Sequence, residues 1–279
     1  MKNLSEVSDT ALITLISRVS ESKMLNPVLQ DPMGELLLEK LMKHLPADQG
    51  KALKERKYSA LLSRHITLRA RKYDYLCRDF LEEFPAGLIV SLGCGFDTRF
   101  WRLGGGELNY LELDLSPVVQ LKKEVLGEKI SYQILDTSVL DESWMSKVSD
   151  IQAEEVLFIA EGLFMYLPRE EVIRILKKMA ASFHRSRLLM EVVAGKYTRG
   201  FRKKMVERKM RKGAGSSAGT FYQYGIDTPA EAEGYHPGYK LKKEWSYFED
   251  PDIRPAFLKV FRHSRSLSRT QYTVVYDIS

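Results

Sequence analysis

Gly93-Cys94-Gly95-Phe96-Asp97 follows directly on the apolar run Leu88-Ile89-Val90-Ser91-Leu92. Two glycines one residue apart let a backbone turn sharply and come close to a ligand. The dinucleotide fingerprint G-x-G-x-x-G would put a third glycine where this chain has Thr98, with Asp97 before it. An aspartate in that loop is electrostatically wrong for a pyrophosphate. It suits a ligand bearing an ammonium and a sulfonium, and S-adenosylmethionine has both. The loop alone is a weak signal, since a G-x-G after a strand is often a plain tight turn.

Three further elements share its position. Asp114, followed by Leu115, closes the next apolar run, Tyr110-Leu111-Glu112-Leu113. A carboxylate there can accept hydrogen bonds from ribose hydroxyls. Glu112 has the same strand parity but lies earlier and is expected to be structural. Asp136-Thr137 ends the run Ile130–Leu135, where an aspartate could accept from an adenine amino group. Glu161-Gly162 ends Val156–Ala160. Each could be an ordinary turn or cap residue. Together they fall at the C-terminal ends of consecutive parallel strands, where open α/β sheets bind ligands.

The elements that must position them read as follows. Residues 1–85 are expected to be a helical N-terminal cap: Leu12, Leu15, Ile16 and Val19 share one helical face, Asp31-Pro32 opens a helix continued by Leu37 and Leu41, and Ile66, Ala70, Tyr73, Cys77 and Phe80 mark another. Residues 86–279 alternate short apolar runs with helical stretches, the pattern of βαβ units and a parallel sheet. A helix opened by Pro168 precedes the run Leu188–Val193. The rhythm then breaks at an expected lid insertion, 195–220, and the chain closes with a strand pair, Leu241–Phe248 and Gln271–Asp277.

Ser91-Leu92-Gly93-Cys94-Gly95-Phe96-Asp97-Thr98-Arg99, Glu112-Leu113-Asp114-Leu115-Ser116 and Ala160-Glu161-Gly162-Leu163-Phe164-Met165-Tyr166-Leu167-Pro168 resemble the leucine carboxyl methyltransferase family, nearer its bacterial tetracenomycin-type polyketide O-methyltransferase branch. Thr10-Ala11-Leu12, Arg18, Asp31-Pro32 and Arg69-Ala70-Arg71-Lys72-Tyr73-Asp74 fit as well. The resemblance runs from about residue 8 to 195 and is only architectural beyond. It implies a Rossmann-like class I methyltransferase fold, with a seven-stranded, mostly parallel sheet whose last strand is antiparallel. It implies S-adenosyl-L-methionine as cofactor and S-adenosyl-L-homocysteine as product. By the same analogy Arg71 binds the cofactor carboxylate, with Arg69 the competing register and Arg18 a further contact. Gly93, Cys94, Gly95 and Asp97 line the methionine portion, Asp114 and Leu115 the ribose, Asp136 and Thr137 the adenine, and Glu161 with Gly162 the methionine amine.

The acceptor is less legible. A carboxylate is already ionised at neutral pH and needs no base, whereas a phenol, with a pKa of about 10, profits from one. No histidine lies in a motif that marks a catalytic base; His236, in Gly234-Tyr235-His236-Pro237-Gly238, is the best loop candidate. Tyr166 is a further substrate candidate. Tyr197, Phe201 and Met205 recur at spacings of four and suit a lid facing an apolar, aromatic or polyketide-like acceptor; a solvated helix would show the same pattern.

The net charge of +6 does not point to nucleic acid. Lys196–Lys212 holds nine cations against Glu207, so this segment carries +8 and the rest of the chain −2. A nucleic-acid-binding protein, a nicotinamide-dependent reductase and a protein C-terminal carboxyl methyltransferase are the competing readings. No run reaches the roughly 18–20 apolar residues of a membrane span. Two cysteines and an N-terminus without a signal-peptide layout suggest a cytoplasmic protein.

Overall fold

A computed structural model describes residues 9–55, 58–213 and 221–279. Its centre is a seven-stranded sheet in the order β3-β2-β1-β4-β5-β7-β6. The strands are β1 (Leu88–Leu92), β2 (Tyr110–Asp114), β3 (Gln133–Asp136), β4 (Val156–Ala160), β5 (Ser186–Val193), β6 (Tyr239–Trp245) and β7 (Gln271–Ile278). The first five are parallel, and β7 runs antiparallel to both β5 and β6. This is the architecture the resemblance implies. β3 begins three residues later than the apolar run suggests, at Gln133.

The buried runs of β1 and β5 follow from helices on both faces. The helices are α1 (Asp9–Ser22), α2 (Pro32–His44), α3 (Ala47–Glu55), α4 (Ala60–Glu83), α5 (Arg99–Arg102), α6 (Ser116–Leu126), α7 (Ser143–Ser149), α8 (Arg169–Ser182), α9 (Gly200–Gly213) and α10 (Arg265–Ser268). Strand alternation sends Ile89, Leu157 and Leu189 to one face, where Tyr73, Cys77 and Phe80 of α4 cover them. Val90, Phe158 and Leu188 go to the other, against Trp144 of α7 and Leu176 and Met179 of α8.

α4 runs opposite to the parallel strands. Glu83 near its end pairs with Arg187 at the start of β5, and Arg69 near its beginning reaches Glu191 close to the end of β5. The first turns of α4 therefore overhang the C-terminal strand ends. α1 and α2 share a core with α6 and with Phe96 of the glycine loop, so the helical N-terminal part grips that loop. Asp31 caps α2 by accepting from the Gly34 amide at 2.9 Å, with Pro32 at the first helical position. Among the described residues no helix is long and apolar enough to cross a membrane.

Candidate cofactor and acceptor site

The glycine loop turns because Gly93 and Gly95 adopt φ of 62° and 52°, a region costly for residues with a Cβ. A Cβ on Gly93 would stand 2.6 Å from Leu163 Cδ1, and one on Gly95 would stand 3.2 Å from Ala11 Cβ. The Gly93 and Cys94 amides donate to the Leu113 carbonyl, and the Gly95 amide donates to Asp114 Oδ2 at 2.6 Å. Asp114 Oδ1 accepts from the Leu115 amide at 2.7 Å. Burial raises the Asp114 carboxyl above the usual range, against the pull of those amides.

Leu115 is 56 % exposed beside this acid, an uncovered apolar shelf at a strand end. Asp136, opposite Asp114 in the sheet register, is exposed and accepts from Ser116 Oγ at 3.0 Å. The Thr137 amide donates to the Asp114 carbonyl. Burial drives the Cys94 thiol well above its ordinary pKa and keeps it protonated.

Asp97 lies in the loop but is enclosed in ion pairs. Its carboxylate accepts from Arg99 Nη1 at 2.5 Å, from Arg102 Nη2 at 3.0 Å and from the Thr98 amide at 2.8 Å. Burial disfavours its charge, yet Arg99 and Arg102 outweigh burial and hold it far below the usual carboxylate range.

Glu161 stands at the end of β4. Its Oε1 accepts from Arg69 Nε at 2.8 Å and its Oε2 from Arg99 Nη2 at 2.6 Å. These two guanidiniums overcome burial and keep it ionised. Arg69 also holds both oxygens of Glu191, at 2.8 and 2.6 Å, and its Nη2 makes no hydrogen bond among the described residues. Gly162, at φ 64°, presents its Cα toward Glu191 and Arg69, which a Cβ would approach to 3.5 and 3.7 Å.

Arg71 is placed elsewhere. Two residues on a helix diverge by about 200°, so Arg69 and Arg71 face opposite ways. Arg71 makes ion pairs of 2.7 Å with Asp250 and with Asp252, outside the group at the strand ends. Arg18 is buried and structural in its contacts: Nε donates to Asp31 at 2.8 Å and Nη2 to the Phe96 carbonyl at 2.7 Å. The expected contest between Arg69 and Arg71 thus has Arg69 at the strand ends. Glu112 is buried against Lys122 at 2.7 Å, as its early strand position suggests.

Among the residues expected to meet an acceptor, Tyr166 lies in the 3-10 turn Phe164–Tyr166 with its ring 5.8 Å from that of Tyr222. Tyr222 OH donates to Gln271 Oε1 at 3.5 Å, and Gln271 Nε2 donates to Glu191 Oε1 at 2.6 Å. Gln271 opens β7 and registers with Val193 at the end of β5, which sets this aromatic and amide wall at the strand ends. Tyr197 sits in the 3-10 turn Gly195–Tyr197, with Lys196 Nζ 5.2 Å from its ring centre. Phe201 and Met205 on α9 are 80 % and 53 % exposed, so this helix stands open rather than packed down. The Gly/Ser stretch 214–220 lies outside the described residues.

His236 is not with them. It accepts from the Gly238 amide just before Tyr239, and Tyr239 pairs with Ile278, which pairs with Ser186 at the start of β5. That is the N-terminal end of β5, opposite the strand ends that carry the glycine loop and Glu161. Arg99, Glu191, Tyr222 and Gln271 went unread in the sequence. An acid inside the otherwise apolar run of β5 was the available signal for Glu191.

A family model described as leucine carboxyl methyltransferase matches residues 11–180. The chain is 28 % identical over 262 residues to an S-adenosyl-L-methionine-dependent methyltransferase, dpfgK, of Gibberella zeae, covering 88 % of this chain and 84 % of that one. It is 26 % identical over 273 residues to the tetracenomycin polyketide synthesis O-methyltransferase TcmP of Streptomyces glaucescens, covering 96 % and 94 %. A crystal structure of a DUF574 family protein from Streptomyces avermitilis superposes with a TM-score of 0.60 over 99 % of both chains at 13 % identity, a likeness of fold.

Proposed function

Since this chain belongs to the leucine carboxyl methyltransferase family and is an S-adenosylmethionine-dependent methyltransferase, we propose that it methylates a hydroxyl or carboxylate oxygen of a small aromatic or polyketide-like acceptor. The observation that carries this reading is the row Gly93–Gly95, Asp114, Asp136 and Glu161 at consecutive strand ends, with the Tyr166–Tyr222 wall beside Glu191. The cofactor supplies a methyl carbon made electrophilic by its sulfonium; the protein supplies position and field.

The residues fit that group. Asp114 offers a carboxylate held by backbone amides to ribose hydroxyls. Leu115 offers an apolar shelf, and Asp136 and Thr137 a polar edge, to adenine. The Nη2 of Arg69 suits the cofactor carboxylate better than Arg71, whose donors serve Asp250 and Asp252. Arg18, Arg69, Arg99 and Arg102 face Asp31, Asp74, Asp97, Glu161 and Glu191, one more carboxylate than guanidinium. That surplus favours a ligand with an ammonium and a sulfonium. Asp97 contributes through this field.

The described helices of the N-terminal part act as a cap over the cofactor and α9 as a lid, with Phe201 and Met205 closing on the acceptor. Cys77 and Cys94 are free and buried, in keeping with a cytoplasmic setting. The test is a thermal-shift series with S-adenosylmethionine, S-adenosylhomocysteine and NADH, followed by transfer of a labelled methyl group to aromatic alcohols and acids. Stabilisation by the first two alone is expected. Stabilisation by NADH alone would return the reductase reading.

A further inference from the structure

Glu191 is an acid inside a strand that is buried along its whole length, and it is itself 1 % exposed. Its presence needs a reason, because a buried ion pair is often no more stabilising than apolar side chains of the same volume. Its neighbours supply one. Arg69 Nη1 donates to both Glu191 oxygens, at 2.8 and 2.6 Å, and Gln271 Nε2 donates to Oε1 at 2.6 Å from the first residue of β7. Thr273 registers with Glu191, and Gln271 lies two residues before it, so strand alternation puts Gln271 on the same face of the sheet. A carboxylate paired with a guanidinium only accepts. Gln271 therefore turns its NH2 to Glu191 and its Oε1 toward Tyr222 OH, 3.5 Å away.

The consequence falls on Arg69. A guanidinium ordinarily grips a carboxylate with two parallel bonds. Glu161 takes only the Nε of Arg69, at 2.8 Å, while Glu191 holds Nη1 on another side. Nη2 is left out of both pairs and lies beside Gly162 at the end of β4, where an added Cβ would come within 3.7 Å of it. Burial works against the Arg69 charge, and the two acids overcome it, Glu191 contributing more than Glu161. Without Glu191, the Nε and Nη2 edge could close on Glu161 as a fork. That would consume the donor that suits the cofactor carboxylate, together with lone pairs of Glu161 that suit the cofactor ammonium.

We infer that Glu191 and Gln271 are positioning residues for Arg69. Glu191 draws the guanidinium off Glu161, Gln271 holds Glu191 from the β7 side, and Nη2 is thereby presented to the carboxylate of the cofactor. The inference rests on the methyltransferase reading above, with Arg69 as the carboxylate ligand. Neither residue needs to touch the cofactor. Both act on its amino acid end through Arg69. The adenosine end, assigned to Asp114, Leu115 and Asp136, lies at the ends of β2 and β3, with β1 and β4 between those strands and β5.

The experiment titrates S-adenosylhomocysteine and 5′-methylthioadenosine into the wild type, Glu191→Gln, Gln271→Leu, Arg69→Ala and the double variant Arg69→Ala/Gln271→Leu. The second probe keeps adenine, ribose and thioether and lacks the amino acid end. S-adenosylhomocysteine affinity should fall about tenfold in Glu191→Gln and about fivefold in Gln271→Leu, as a charge-assisted contact is misplaced. Affinity for 5′-methylthioadenosine should stay within about twofold of wild type in both. In the Arg69→Ala background, Gln271→Leu should change S-adenosylhomocysteine affinity by less than about twofold, since the group it positions is gone. Wild-type S-adenosylhomocysteine affinity in both single variants, an equal loss on both probes, or the same loss with and without Arg69 would each overturn it. If 5′-methylthioadenosine binds too weakly to titrate, the comparison with and without Arg69 decides alone. A wild type that binds neither probe would instead sink the methyltransferase reading.

Discussion

Arg69 and Glu161, 92 residues apart in the chain, meet at 2.8 Å above the end of β4. The contact ties the helix that overhangs the sheet to the strand end that closes the glycine loop's floor. Its other side is the two-oxygen grip of Arg69 on Glu191.

Arg69 and Arg71 should therefore separate cleanly. Arg69→Ala is expected to weaken S-adenosylmethionine binding by about 10- to 100-fold, the worth of a charge-assisted hydrogen bond of about 1.5–3 kcal/mol. Arg71→Ala should leave affinity within about threefold and cost about 1 kcal/mol of stability through the lost pairs with Asp250 and Asp252. Calorimetry and denaturant unfolding of the two variants check both halves.

What could be read from the sequence, and what could not, divides along the same line. Gly93, Asp114, Asp136 and Glu161 were legible because the C-terminal end of a buried parallel strand is a local pattern. The choice between Arg69 and Arg71 was not local: it depends on Asp250 and Asp252, about 180 residues away, which occupy the opposite side of α4. The acidity of Asp97 could be read, but not that Arg99 and Arg102 in the next turn consume it. His236 drew attention as a loop histidine; only the register of β6 on β7 and of β7 on β5 shows that its loop lies at the opposite end of the strands.

Asp31 should make stability fall in acid. Burial raises its pKa, but Arg18 and Arg102 and the hydrogen bond from Thr98 prevail and leave it below 3.8. A carboxyl depressed in the folded state gives stability that is present above the unfolded pKa and is lost as pH drops through the folded one. The melting temperature should therefore decline below about pH 4, and Asp31→Asn should flatten that decline. At pH 7 the same variant should be about 3–5 kcal/mol less stable, since Arg18 is left buried without its carboxylate. A decline equally steep in the variant would refute the assignment.

Lys122 and Glu112, both fully buried, form a pair that also anchors the glycine loop, because Lys122 Nζ donates to the Asp97 carbonyl at 2.6 Å. Lys122→Met should cost about 3–5 kcal/mol by stranding the Glu112 charge. The double variant Lys122→Met/Glu112→Leu should recover most of that stability, while cofactor affinity stays reduced. Chemical denaturation and calorimetry on the two proteins separate charge from loop anchoring.

Gly93→Ala should lose about 1–2 kcal/mol to its left-handed backbone alone, and more to Leu163, whose Cδ1 lies 2.6 Å from the added methyl. Adding Leu163→Ala should relieve only the second part. Full recovery in the double variant would show that backbone conformation is not what glycine supplies here.

Trypsin should cut within the basic segment of α9, where Phe201 and Met205 lie exposed. Cofactor and acceptor together should slow that cleavage severalfold if the segment closes as a lid. An unchanged rate would leave α9 a solvated helix.

The central claim is that the strand ends of β1, β2, β3 and β4 hold S-adenosylmethionine. Calorimetric titration of the cofactor into the wild type and into Asp114→Ala tests it most directly. We predict one binding site per chain, with affinity at least about tenfold weaker in the variant because the ribose loses its carboxylate partner. Absence of binding to the wild type, or equal affinity in the two proteins, would contradict it.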